Sequence, residues 1–111
     1  MTSPILHGVY VAAFPFVEGS GDKLRPVVVA SRPAGPFGVL SVVPLSSSSD
    51  SVGGDFALRD WDQVGLRRPS LARIHRVTGL LQSDLRAYLG TLSDGDEARL
   101  RVALAGHFLL G

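Results

Sequence analysis

Residues 8–31 read Gly8-Val-Tyr-Val-Ala-Ala-Phe14-Pro15-Phe-Val-Glu-Gly-Ser-Gly-Asp-Lys-Leu24-Arg25-Pro26-Val-Val-Val-Ala-Ser31. The stretch has three parts. Gly8 to Phe14 is apolar throughout, which predicts a strand buried on both faces. Pro15 to Leu24 predicts a loop, where Gly19 and Gly21 can take positive φ without steric strain. Pro26 lacks an N–H and pushes Arg25 into an extended conformation. It leads into a second apolar strand, Val27 to Ser31. One arginine is therefore held where a loop enters a core strand. Its guanidinium offers a planar fork of donors and stays charged at any working pH, which suits an anionic oxygen.

Working outward, Arg32-Pro33-Ala34-Gly35-Pro36 is turn chemistry, and Phe37 to Leu45 reads as a third apolar strand. Three such strands joined by Gly/Pro loops predict a small barrel or sandwich. Ser46 to Gly54 is a polar, low-complexity loop. Asp55 to Leu58 predicts a short strand, and Arg59 to Pro69 a loop holding Trp61 and the pair Arg67-Arg68. Ser70 to Val77 reads as a further strand. Its alternation puts Leu71, Arg73, His75 and Val77 on one face and Ala72, Ile74 and Arg76 on the other. Ser83 to Arg86 predicts one helical turn, and Ala87 to Leu92 a last short strand.

The C-terminal segment carries the clearest helix signal. Ser93 is an N-cap candidate, with Asp96 three residues on as an imperfect capping box. Asp94, Asp96 and Glu97 favour the positive end of the helix dipole. Leu100, Ala103, Leu104, His107 and Phe108 follow helical spacing, so the helix is expected to reach about His107 or Phe108, with His107 packed.

At 111 residues the chain suits a single domain, 1–111, and 45% hydrophobic content allows a core. It has no cysteine, hence no disulfide and no thiolate chemistry. Three scattered histidines without a His-x-x-x-His pair argue against a metal site. There is no basic-then-apolar leader and no apolar run long enough to span a bilayer, so a cytoplasmic protein is expected. The net charge of +1 is unevenly spread. Residues 23–76 hold Lys23 and seven arginines against four aspartates, a net +4, and the flanking segments are acidic. The middle of the chain is either a basic surface or a set of solvated loop charges.

The run Phe14-Pro15-Phe16, followed by Gly19-Ser20-Gly21-Asp22-Lys23-Leu24-Arg25-Pro26-Val27-Val28-Val29, closely resembles the signature of the MazF/PemK/Kid toxins. These are sequence-specific, metal-independent endoribonucleases of type II toxin–antitoxin modules. The resemblance continues through Val42–Ser46, Trp61–Val77 and Leu89–Ser93. It implies a mainly β (α+β) fold, a small SH3-like β-barrel with a C-terminal α-helix, forming a homodimer. It implies a ribosome-independent endoribonuclease without cofactor or metal that cuts single-stranded mRNA at a short sequence. The 2′-OH attacks, leaving a 2′,3′-cyclic phosphate and a 5′-OH. A cognate antitoxin with an acidic C-terminal segment would silence it.

By the same resemblance the catalytic residues are Arg25, Ser46, Arg73 and His75. The RNA-binding residues are Phe16, Ser20, Lys23, Ser47, Arg67 and Arg68. Each has a plainer reading. Arg25 could pair with Glu18 or Asp22 at the surface. Ser46 is one serine of four, with Ser47 as its nearest rival. His75 could be a half-buried histidine satisfied by backbone, and Trp61 a core or dimer residue. The Kid branch has Arg-x-Asp where this chain has Arg73-Ile74-His75. The resemblance thus implies that His75→Asp retains more activity than His75→Asn. Family members usually show Gly-Asp where this chain has His7-Gly8. Two alternatives share the fold. One is a CcdB-like gyrase poison, although the chain lacks its Trp-Gly-Ile end. The other is an inactive toxin that only binds antitoxin.

Overall fold

The computed structural model describes residues 4–14, 23–47, 50 and 52–110. Phe16, Ser20 and the side chain of Lys23 lie outside this described part. Among the described residues seven strands form: β1 Gly8–Phe14, β2 Lys23–Val29, β3 Val39–Ser46, β4 Phe56–Ala57, β5 Leu71–Ala72, β6 Thr78–Leu81 and β7 Leu85–Thr91. One α-helix follows, α1, Asp94–Ala105, continued by a wider turn at Gly106–Leu110. Among the described residues no helix is long and apolar enough to cross a membrane.

The strands pair antiparallel in the order β4-β5-β3-β2-β1-β7, with β6 also on β3. The ladder stays open, because no hydrogen-bonded pair joins β4 to β7 among the described residues. The central strands are apolar on successive residues because both faces of the sheet are covered. Val9, Val28, Val43 and Leu45 pack into one cluster with Val64, Leu92 and Leu100. Ala12, Val27, Val29, Leu40 and Val42 face the other way and pack with Leu80. Leu100 is the buried apolar contact of α1, and removing a leucine side chain from water stabilises by about 1.5–3 kcal/mol.

β1 has the bounds the sequence predicts, while β2 begins earlier, at Lys23. Gly8 must be glycine: a Cβ there would sit 2.8 Å from the carbonyl oxygen of Ile5. His7 has φ 65°, and its Nδ1 lies 2.7 Å from Glu97 Oε1. It ties the start of β1 to the first turn of α1. Ser93 is the N-cap, its Oγ accepting the Asp96 N–H at 3.2 Å. Asp96 does not complete a capping box. Its enclosed carboxylate accepts the backbone N–H groups of Arg59 and Asp60, each at 3.0 Å, and the Arg99 guanidinium.

Two expectations are corrected. Ser70–Val77 is not one strand. β5 ends at Ala72, a 3-10 turn spans Ile74–Arg76, and the unforeseen β6 resumes the pairing with β3. His107 is not packed but exposed, and Phe108 beside it is 64% exposed.

Candidate active site

Three strands place the candidate residues at one end of the sheet. β2 and β3 run in the register Val27↔Pro44, Val28↔Val43, Val29↔Val42. The pairing ends at Val27↔Pro44; Arg25 stands two residues before it on β2 and Ser46 two residues after it on β3, so both lie at the same end of the sheet. Arg25 is exposed and Ser46 half-buried at the end of β3, with Ser47 exposed beyond it. On the other edge of β3, Ser46 pairs with Leu71 and Leu45 with Ala72. Arg67 and Arg68 are exposed in the run that leads into β5 from this same end. Neither makes a hydrogen bond or ion pair with any of the candidate catalytic residues among the described residues.

A residue the sequence did not single out, Asp55, stands just before β4, which pairs with β5 as the end of β3 does. Its Oδ1 accepts the Ile74 N–H at 3.0 Å and faces His75 Nδ1 at 2.9 Å. Its Oδ2 accepts the Val52 N–H at 3.1 Å and Arg73 Nη1 at 3.0 Å. Arg73 Nη1 also donates to the Asp50 carbonyl. The Asp55 side chain is 0% exposed, Arg73 8% and His75 30%. Burial alone pushes the Asp55 carboxyl pKa up. Hydrogen bonds from Arg73, the Val52 amide and His75 outweigh it and hold the carboxyl below its ordinary value.

Arg73 and His75 therefore do come together, but not through strand alternation. Both turn toward one carboxylate because the 3-10 turn at Ile74–Arg76 begins just after Arg73. Arg73 is mostly enclosed, its charge set against Asp55, and its Nε has no hydrogen-bond partner among the described residues. His75 is the half-exposed member. Gly53-Gly54-Asp55 was the available signal. Gly54 takes φ 93°, where side chains are strained, and the turn closes through Asp55 N–H to Val52 O at 2.9 Å. Nothing local in the sequence names the partners of Asp55, which lie 18–20 residues on.

A basic rim, a serine hydroxyl and an oriented imidazole sit at one end of a small open sheet. The profile of the PemK-like, MazF-like toxins of type II toxin-antitoxin systems matches residues 7–108. The chain belongs to this toxin family. A comparison of the sequence with curated proteins gives no match. Among solved structures, the PemK/MazF-like chain is similar to Mycobacterium tuberculosis toxin MazF-mt6. The identity is 20%, the coverage 91% of this chain and 95% of that one, and the TM-score 0.72. It is also similar to a mycobacterial endoribonuclease in complex with its cognate antitoxin, at 18% identity, 97% coverage of both chains and a TM-score of 0.74. A mycobacterial endoribonuclease matches at 19% identity, 95% and 90% coverage and 0.71. At these identities the likeness establishes the fold: a mainly antiparallel, barrel-like α+β toxin domain.

Proposed function

We propose that this toxin is a ribosome- and metal-independent endoribonuclease acting on single-stranded RNA as a homodimer. A cognate antitoxin covers its basic rim with an acidic C-terminal segment. The observation that carries the reading is the Asp55–His75–Arg73 cluster, whose Arg73 N–H bonds the Pro44 carbonyl two residues before Ser46, in a chain of this family. RNA cleavage of this kind needs a base for the 2′-OH, charge stabilisation at phosphorus and protonation of the leaving oxygen. His75 Nε2 takes the 2′-OH proton, and the 2′-oxygen bonds to phosphorus. The Arg25 fork and the Ser46 hydroxyl hold the non-bridging oxygens as negative charge grows on them. The P–O5′ bond then breaks, and the 5′-oxygen takes a proton from solvent. The products are a 2′,3′-cyclic phosphate and a 5′-OH, with no water consumed. Arg67, Arg68 and Lys23 supply charge along the strand, and Phe16 and Ser20 contact bases from residues 15–22.

Incubating the purified protein with a long RNA in excess EDTA, then mapping both ends of the fragments, tests this. Discrete cuts with cyclic-phosphate and 5′-OH ends are expected. An intact RNA would instead favour a gyrase poison or an antitoxin-binding regulator of the same fold, which supercoiling and antitoxin-binding assays separate.

A further inference from the structure

The Asp55 carboxylate is the meeting point of the candidate site, yet it cannot itself reach a substrate. Its side chain has no exposure, and four donors occupy its two oxygens. An ionised carboxylate can only accept hydrogen bonds. The His75 nitrogen that faces it at 2.9 Å, Nδ1, must therefore carry the hydrogen. In a neutral imidazole the lone pair then resides on Nε2. The two ring nitrogens point in widely divergent directions. With Nδ1 held by an enclosed group, Nε2 is turned away from it. Nε2 makes no hydrogen bond among the described residues, and His75 is 30% exposed where Asp55 is sealed. The neighbouring Ile74 N–H is held on the same Oδ1 at 3.0 Å, so the backbone under His75 is fixed by the atom that orients the ring. Arg73 balances the buried charge from the other oxygen.

We propose that Asp55 is the positioning residue of the reaction: it fixes His75 in the Nδ1–H tautomer and aims the Nε2 lone pair at the ribose 2′-OH. This rests on the nuclease reading above. Free histidine prefers the opposite tautomer, so the carboxylate sets a state the ring would not otherwise favour. Arg73 and the amides of Val52 and Ile74 act on Asp55 in turn, keeping it charged and immobile.

The test has two arms. In the wild-type protein, long-range proton–nitrogen NMR at a pH where His75 is neutral should report Nδ1–H. A neutral Nε2–H tautomer overturns the inference, whatever the protein does to RNA. In Asp55→Asn, the tautomer should switch and kcat for RNA cleavage fall roughly 10²–10⁴-fold, the range for losing an oriented base, with KM little changed. A folded Asp55→Asn that keeps the wild-type kcat overturns the inference and leaves the nuclease standing. If Asp55→Asn does not fold, the wild-type tautomer decides alone. Absence of cleavage by the wild-type protein removes the nuclease reading instead, a result independent of the tautomer measured.

Discussion

Asp96 and Asp60 hold one another's segments. Asp96 Oδ2 accepts the Asp60 N–H at 3.0 Å, and Asp60 Oδ2 accepts the hydroxyl of Ser93, the residue that caps Asp96's helix, at 2.6 Å. This couples the first turn of α1 to the run that leads from β4 into the 3-10 turn at Trp61–Val64. Asp96→Ala strips the acceptor from the amides of Arg59 and Asp60. Each of these hydrogen bonds to a carboxylate contributes about 1.5–3 kcal/mol. Denaturant unfolding should show a loss in that range or above it. A loss below about 0.5 kcal/mol, the usual size of a surface effect, would mean the tether is decorative.

Asp55 gives the fold an acid sensitivity. Its folded pKa is lowered, so its stabilisation is present above the ordinary carboxylate value of 3.8 and is lost as pH falls through the lower folded value. Unfolding measured across that acid range should weaken more steeply in the wild type than in Asp55→Asn. At neutral pH the variant leaves Arg73 enclosed without its counter-charge, a change that in buried pairs costs about 3–5 kcal/mol. Parallel pH–stability curves for the two proteins would contradict this role.

These two carboxylates also mark where sequence reading stops. β1 was legible because seven apolar residues in a row have few alternatives, and the Ser93 cap because a cap bonds within its own turn. The 70–77 segment was not. Its alternation fits a strand, but the carboxylate at Asp55 draws in Arg73, the Ile74 N–H and His75, and that contact overrides the local pattern. Arg73 and His75 were visible as candidates and Asp55 was not, because its role exists only through partners far along the chain. His107 fitted the helical spacing, yet packing of the helix ends with Leu100, Ala103 and Leu104.

Arg25 is exposed on β2, at the end of the sheet where β3 finishes at Ser46. Arg25→Ala should leave the unfolding midpoint near wild type and lower kcat roughly 10²–10³-fold, as losing one preorganised donor to developing charge does. Arg25→Lys should recover only part of this, since an ammonium keeps the charge but not the fork. Near-normal cleavage by folded Arg25→Ala would remove the residue from the mechanism.

Arg67 and Arg68 are exposed, and their charge should act through screening-sensitive attraction. If both contact RNA phosphates, replacing the pair by alanine should reduce the slope of log affinity against log salt by about 0.7 per arginine. An acidic antitoxin peptide should compete with RNA and weaken with salt in the same way. Simultaneous, non-competitive binding of peptide and RNA would show that the two use different surfaces.

His75 carries the sharpest expectation, because Asp55 changes how its variants should rank. His75→Asn removes the base, so cleavage should slow roughly 10²–10⁴-fold. The family pattern alone makes His75→Asp the milder change. In this structure a carboxylate at position 75 would lie against the sealed carboxylate of Asp55, which His75 now approaches at 2.9 Å. Two like charges at that separation cannot both ionise freely. His75→Asp should therefore unfold more readily than His75→Asn and cleave no better. Pairing it with Asp55→Asn should relieve the repulsion, so that the double variant is more stable than His75→Asp alone. A double-mutant cycle on unfolding free energy measures this coupling directly. If the two changes add independently, positions 55 and 75 do not interact in solution as the hydrogen bond between them requires.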